Sequence, residues 1–272
     1  MKNINLPITS NKLQFLQKTG VPHIAYFTNS STTIKLINED ITYFLAPQFL
    51  KKSDLGFVKR VKDFAKTTGL PDTGITSSDI TYFRFNDVAE DDRRDVVEID
   101  VNKAYWQLAY QNGYLPQHLY EQGLNTDKVG KLTRLVALGS LASKKKVFQF
   151  DGKNYHFIGY KFDPVLRSYF FKVSYDLDNI MNDIFNQVGE RALFYWFDAF
   201  FVNREVADYI EREIGRYGLG VKRQEIKEVK KVKSDTFDYL KISDNHKGAP
   251  RIRTFALPNL EAQLSFIQSY AI

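Results

Sequence analysis

The first third of the chain alternates short apolar runs with polar turns, which is typical of a mixed α/β region. Residues 23–27 and 32–37 each form a strand pattern, and residues 49–68 carry an apolar repeat of helical period. Lysine and arginine occupy many of the remaining positions of this helix. Such a face can contact phosphate, but a solvated helix surface is the commoner explanation.

Apolar spacing also predicts the elements of the later chain. The predicted helices cover residues 104–112, 128–143, 166–188, 205–217 and 258–272. The predicted strands cover residues 81–85, 97–101, 147–150, 155–160 and 192–202, and further short basic strands are expected after residue 220. This mixture of strand pairs and helices predicts an α+β protein.

Asp100 stands where the apolar strand pattern of residues 97–101 gives way to a helical pattern. Its carboxylate, beside the backbone carbonyl of Val101, supplies the hard oxygen ligands that a divalent cation prefers. However, an Asp before a helix is more often a turn or capping residue. On this stretch alone the capping explanation is favoured.

Lys131 belongs to a predicted helix that places Leu135 and Leu138 on the same face. The ammonium group could grip a triphosphate, and the leucines could form an apolar floor for a base. Lys128, one turn earlier, and Arg134 are weaker candidates for phosphate contact. An ordinary amphipathic helix with its cations in solvent explains this stretch at least as well.

Asp198 is the one carboxylate among ten otherwise apolar or aromatic residues at positions 193–202. Burying an unpartnered carboxylate costs several kcal/mol. Asp198 must therefore lie at a turn, accept hydrogen bonds, or bind a metal ion. A β-hairpin with Phe197 and Asp198 at its tip satisfies this requirement.

Composition narrows the chemistry. The chain has 272 residues, a formal charge of +6, no cysteine and four histidines, none of them in a metal-ligand spacing. Disulfides, thiolate zinc sites and a cysteine nucleophile are excluded, and a metal would have to be bound by oxygen. The modest basic excess is compatible with a polyanionic partner. The chain shows neither a signal-peptide pattern nor a run of eighteen apolar residues, so we expect a cytoplasmic protein that makes no membrane contact.

The three stretches follow the order strand with Asp, helix with Lys, hairpin with Asp. This order is the layout of a palm domain that performs nucleotidyl transfer with two metal ions. In such a domain catalysis consists of positioning and charge neutralisation, so few protein groups are needed.

The motifs resemble those of the family B DNA polymerases, and the protein-primed branch most of all. Asp100 and Tyr105 keep the spacing of the first family motif, Lys131 and Gly139 that of the second, and Asp198 matches the second Asp of the third. The resemblance implies an α+β fold with a palm-like antiparallel sheet and packed helices. Only thirty residues separate Asp100 from Lys131, and few follow the third motif, so we expect very short fingers and little thumb. It also implies Mg²⁺ or Mn²⁺ as the cofactor.

The resemblance carries over a role for each matching residue. Asp100 and Asp198 would be the catalytic metal ligands, assisted by the carbonyl of Val101. Tyr105 would be the steric gate under the deoxyribose, and Lys131 would contact the triphosphate. The basic residues expected to follow the nucleic-acid backbone are Lys222, Arg223, Lys230, Lys231 and Lys233.

Among the positions that depart from the family motifs, Leu135, Leu138 and Trp196 replace an Asn, a Tyr and an Asp. Residues 1–95 are too few for the family's proofreading exonuclease and form an N-terminal α/β region of unassigned role. Residues 96–255 are expected to be the palm-like domain and residues 256–272 a helical tail.

The sequence thus predicts a minimal DNA polymerase or terminal transferase that acts on DNA and dNTPs, with an accessory or priming protein as a possible partner. The first alternative is a catalytically silent palm that binds nucleic acid or serves as a scaffold. The second is an unrelated α+β binding module.

Overall fold

The computed structural model describes residues 4–7, 10–28, 31–37, 41–45, 52–86, 95–125, 129–233, 238–246 and 248–256. The chain divides into two compact units. The first unit combines residues 1–73 with 115–170, and the second combines residues 74–114 with 171–271. The division into residues 1–95, 96–255 and 256–272 stays a prediction. The predicted helix over residues 258–272 lies outside the described residues.

In chain order the described strands and helices are β1 (Ile4–Pro7), α1 (Ser10–Lys18), β2 (His23–Phe27), β3 (Thr32–Leu36), β4 (Ile41–Leu45), α2 (Lys52–Thr67), β5 (Phe83–Phe85), β6 (Val96–Val101), α3 (Ala104–Gln111), α4 (Gln117–Leu124), α5 (Lys131–Gly139), β7 (Lys145–Phe150), β8 (Tyr155–Lys161), α6 (Pro164–Val188), β9 (Ala192–Trp196), β10 (Ala199–Asn203), α7 (Ala207–Arg216), β11 (Val221–Val232), β12 (Tyr239–His246) and β13 (Ala249–Ala256). None of the described helices has the length and hydropathy needed to cross a membrane.

The first unit is built on a six-stranded sheet of order β1-β4-β3-β2-β7-β8. The β1–β4 pair is parallel and the other pairs are antiparallel. Leu16 of α1 packs with Ala25, Ile34 and Leu36 on one face of this sheet. Because side chains alternate along a strand, the neighbours of these apolar residues lie on the opposite face. Helices α2 and α5 pack against each other within the same unit.

The second unit is built on a seven-stranded antiparallel sheet of order β13-β12-β11-β6-β10-β9-β5. Its four central strands occur in the chain as β6, β9, β10 and β11, with helical segments after β6 and between β10 and β11. Their order in the sheet is β11-β6-β10-β9. This is the split β-α-β arrangement of two interleaved β-α-β units, and it places β6 at the centre of the sheet.

The sheet of the second unit curls on itself. Glu98 of β6 accepts hydrogen bonds at 2.7 Å from both Nη atoms of Arg253 on β13, although two strands separate β6 from β13 in the sheet. Phe255 of β13 likewise lies over Phe201 and Phe194, with ring centroids 5.5 and 5.2 Å apart. The concave face is therefore enclosed by the sheet itself, which accounts for the burial of Val96 and Glu98 on that side. Val97, Ile99 and Val101 point to the opposite face, where α7 contacts β6.

The sequence-based prediction of an α+β protein with antiparallel sheets is confirmed. The strand predicted over residues 23–27 and the helix over 166–188 match β2 and most of α6. The predicted helix over 128–143 is wrong in length, because α5 begins only after Gly130 and ends at Gly139. The expectation of short strands after residue 220 is also wrong, since β11 extends over twelve residues and pairs along its length with β6 and then β12.

Candidate functional site

Asp100 and Asp198 are neighbours in the sheet of the second unit. Asp100 is directly opposite Ala199 in the antiparallel pair of β6 and β10, and Asp198 immediately precedes Ala199. The N–H of Val101 donates to the carbonyl oxygen of Asp198 at 2.8 Å, so the ladder extends to the turn itself. Both aspartates are partly exposed, whereas Val101 is buried. The sequence-based prediction that Phe197 and Asp198 form a hairpin tip is confirmed.

The turn that carries Asp198 is fixed from one side by the segment before β5. The N–H of Phe197 donates to the carbonyl oxygen of Tyr82 at 2.7 Å, and the two aromatic rings lie 5.4 Å apart. Phe197 has a φ of 54°, in the left-handed region that L-residues seldom adopt. The turn therefore holds a strained backbone directly before a carboxylate.

Asp178 of α6 supports this arrangement and was not singled out by its sequence pattern. Its buried carboxylate accepts hydrogen bonds from the N–H groups of Thr81 and Tyr82, at 2.9 and 3.0 Å, and from the hydroxyl of Tyr195 at 2.9 Å. Burial and the charge of Asp178 raise the pKa of Tyr82 to about 12. Asp178 thus fixes the segment whose backbone fixes Phe197.

Tyr105 lies near Asp198 and follows Asp100 by five residues. It sits in the first turn of α3, which begins three residues after β6 ends. Burial, followed by the negative charge of Asp198, holds the pKa of the Tyr105 hydroxyl well above its usual range. The structure therefore brings together Asp100, Val101, Tyr105 and Asp198, four of the residues singled out from the sequence.

Backbone strain concentrates around these four residues. Within the described part of the chain, the non-glycine residues with positive φ are Tyr82 (68°), Lys103 (55°) and Phe197 (54°). Lys103 forms the junction between β6 and α3, Phe197 precedes Asp198, and Tyr82 accepts the hydrogen bond from Phe197. Such conformations cost about 1–3 kcal/mol each and cluster at functional sites.

A buried ionic network lines the concave face next to Asp100. By strand alternation Glu98, two residues before Asp100 on β6, lies on the same face as Asp100. Arg253 bridges Glu98 and Asp244, each at 2.7 Å, and Arg251 bonds Asp244 at 2.8 and 2.9 Å. Asp244 is 1% exposed. Burial opposes the charge of Arg253, but the two carboxylates outweigh it and raise the pKa of this guanidinium.

Trp196 belongs to the aromatic packing of the second unit. Its ring stacks on that of Phe83 at a centroid distance of 4.9 Å and meets Phe255 edge-on at 5.4 Å. The position where the resembling family has a further Asp is therefore part of the aromatic lining.

The predicted triphosphate contacts lie in the first unit. Lys131 is exposed at the start of α5, with exposed Leu132 and Leu135 beside it. Arg134 is 7% exposed, and its Nη1 donates to the carbonyl oxygens of Gly123 and Val129, at 2.7 and 3.3 Å. Arg134 thus has a structural role that leaves little surface for a phosphate. The role of Lys131 stays a prediction, and Lys128 lies outside the described residues.

The basic residues of β11 do not form one surface. Lys222 is directly opposite Asp100 in the pair of β11 and β6. Arg223 lies on the other face, where it pairs with Asp208 and Glu211 of α7. Lys230 and Lys231 are consecutive on β11 and so point to opposite faces, and Lys233 follows the strand end. Lys222 is therefore the member of this set placed beside the candidate site.

The donor set around Asp100 fits an oxygen-seeking divalent cation, because it combines two carboxylates with backbone carbonyls and contains no histidine or thiolate. No group of three or more His, Cys, Asp or Glu side chains that could hold a metal occurs among the described residues. Asp100 and Asp198 supply two carboxylates, so any further ligands would have to be other oxygen atoms. Comparison of the chain with protein-family models, curated proteins and solved structures finds no match.

Proposed function

We propose that the protein is a metal-dependent nucleotidyltransferase that extends a 3′-hydroxyl of DNA with dNTPs, and that its second unit is a polymerase-type palm. The observation that carries this proposal is the position of the two aspartates. Asp100 lies one residue before the end of the central strand of a split β-α-β sheet, and Asp198 occupies the adjoining hairpin turn. Neighbouring carboxylates at these positions could ligate the cations of a two-metal nucleotidyl transfer.

Asp100 and Asp198 would hold Mg²⁺ or Mn²⁺, with the carbonyl of Val101 as a further oxygen ligand. When bound, these cations would supply charge neutralisation for a triphosphate and activation of the attacking hydroxyl. Tyr105 would bound the sugar side of the site, since it lies in the first turn of α3 near Asp198. Asp178 is a positioning residue, because it holds Tyr82, which accepts from Phe197, and Tyr195 of the strand that leads to Asp198. A cytoplasmic location stays a prediction.

The test is nucleotide incorporation with Mg²⁺ or Mn²⁺, with and without primer–template, by the full chain and by Asp100→Asn and Asp198→Asn. We expect each substitution to lower the rate at least about a hundredfold, as loss of a group that stabilises transition-state charge does. Asp183→Asn, an exposed acid of α6, is the matched control and should keep the rate. Equal rates in all four proteins would refute the proposal.

A second candidate is a palm that binds nucleic acid without catalysis. The aromatic packing of Trp196 favours it, because that position cannot supply the additional carboxylate of the resembling family. Metal-independent DNA binding, together with no incorporation under any condition, would select this candidate.

A further inference from the structure

The first unit contains a cavity of about 630 Å³ whose lining is strongly basic. It lies on the sheet face opposite α1 and is bounded by α2 and the start of α6. Among the described residues of the lining, Asp163 is the one carboxylate. The lysines that line the cavity are Lys35, Lys62, Lys66, Lys145 and Lys161.

Strand alternation explains how these lysines converge. In β3, Ile34 and Leu36 are buried on the α1 side, so Lys35 between them lies on the cavity side. In the β7–β8 pair, Lys145 and Lys161 are directly opposite each other. Like charges in directly opposite positions destabilise a sheet. A sheet face that needed only to be solvated would gain nothing from this arrangement.

The electrostatics show that the lysine side chains crowd one another. Burial, then the charges of Lys145 and Lys66, lower the pKa of Lys62, whose Nζ also donates to the carbonyl oxygen of Ser140 at 3.2 Å. Burial, then the charges of Lys161 and Lys66, lower the pKa of Lys145. Asp163 and Asp63 act on Lys62 in the opposite direction, but the pKa is lowered all the same. Among the described residues the cavity therefore concentrates positive charge, and an anionic ligand would relieve the repulsion.

The other lining groups indicate which anion fits. Thr33, Thr42 and Ser143 add hydroxyl donors, and Phe162, 48% exposed, and Tyr26 add aromatic rings. The guanidinium of Arg167 lies over the Phe162 ring at 5.3 Å. The cavity volume falls within the range of about 300–1,000 Å³ that is typical of sites for organic ligands. The cavity is therefore larger than one inorganic phosphate needs.

Lysines beside an exposed aromatic ring are the combination that binds single strands, through phosphate contact and base stacking.

We propose that this cavity binds the phosphate backbone of single-stranded nucleic acid, with a base against Phe162. The proposal is independent of catalysis at Asp100 and Asp198, and its test contains EDTA so that metal-dependent chemistry cannot contribute. Failure here would leave the transferase proposal untouched, and loss of the transferase proposal would leave this one standing.

The experiment measures binding of a fluorescent oligo-dT of about fifteen nucleotides, a length on the scale of single-strand sites, between about 50 and 200 mM salt. The test variant is Lys66→Gln/Lys161→Gln in the full chain. Both lysines are exposed, so folding should be kept. The matched control, Lys18→Gln/Lys153→Gln, removes the same charge from exposed positions of the same unit that do not line the cavity.

We expect the test variant to reduce the slope of log affinity against log salt by about 0.7 for each phosphate that it no longer neutralises, and the control to leave the slope unchanged. Equal weakening in both variants would mean that surface charge alone attracts the strand, and no binding by the unaltered protein would mean that there is no strand site. Either result overturns the proposal.

A second arm separates a nucleic-acid site from a site for free oligophosphate. Phe162→Ala should weaken oligo-dT binding about tenfold, within the range for a base stacked on an aromatic ring, and leave tripolyphosphate binding unchanged. If tripolyphosphate binds as tightly as oligo-dT and Phe162→Ala affects neither, the cavity is an oligophosphate site and the single-strand proposal is wrong.

Discussion

The two units concentrate charge in opposite ways. In the second unit, acids and arginines pair inside the curled sheet, and the buried carboxylates of Asp178 and Asp244 each accept hydrogen bonds from at least two groups. In the first unit, five lysines line one cavity, and Asp163 is the carboxylate among its described lining residues. The network of the second unit holds the protein's own structure together, whereas the lysines of the cavity repel one another. The comparison suggests a rule for reading charged clusters. A cluster whose charges are paired within the protein serves its structure, whereas a cluster that lacks opposite charges points to a ligand that supplies them.

The largest expected effect on stability tests the balanced side of this comparison. Arg253→Met removes the bridge between Glu98 and Asp244 and leaves buried negative charge that Arg251 only partly offsets. We expect the free energy of unfolding to fall by about 3 kcal/mol, as when one partner of a buried ion pair is removed. Urea unfolding measures it.

Arg223→Met is the control for this substitution, because the side chain of Asp208, one of its partners, is 88% exposed. Exposed pairs contribute about 0–1 kcal/mol. If both variants lose the same stability, the distinction between a buried network and surface pairs is wrong.

An intermediate effect is expected at Asp178, which connects stability to the candidate site. Asn offers one acceptor oxygen where the carboxylate uses two for Thr81, Tyr82 and Tyr195. Asp178→Asn should lower the unfolding free energy by about 1–3 kcal/mol, the cost of leaving a buried donor unsatisfied. The rate of nucleotide incorporation should fall and the apparent KM for the metal should rise, because the turn that bears Asp198 would be held less firmly.

Asp183→Asn on the same helix is exposed and should change neither quantity. A stability loss at Asp178 with unaltered metal dependence would show that its hydrogen bonds serve the core alone and not the position of Asp198.

The smallest effect has the opposite sign and tests the unbalanced side. Lys145→Met removes a partly buried ammonium that Lys161 and Lys66 repel. We expect a gain of roughly 0.5 kcal/mol at neutral pH, similar in size to relief of a like-charge cross-strand pair.

The pH dependence gives a second reading of the same substitution. The folded-state pKa of Lys145 is lowered, so its charge destabilises the fold at low pH, and this penalty is lost as pH rises through the lowered pKa towards the unfolded value. The unaltered protein should therefore gain more stability than Lys145→Met over that interval, as thermal unfolding across the pH series would show. A loss of stability in Lys145→Met at neutral pH would contradict an unbalanced cluster.

Local sequence predicted much of the second unit. A single carboxylate in an apolar run has few places where it can exist, so the hairpin turn at Asp198 followed from the cost of burying an acid. The position of Asp100 near a strand end followed from the change from a strand pattern to a helical pattern. The supporting residues did not, because Asp178 looks like any polar position on a helix until Thr81 and Tyr82 are folded against it.

Contacts between residues that are far apart in the sequence could not be predicted from local patterns. The sequence by itself determined the alternation and helical periods that specify most elements, the exclusion of cysteine chemistry, and the two aspartates. Only the tertiary structure decided that β13 returns over β10 to pair Arg253 with Glu98, and that lysines between positions 35 and 161 meet at one cavity. These pairings depend on strand order and curl, and strand order arises from contacts between segments that local patterns do not encode.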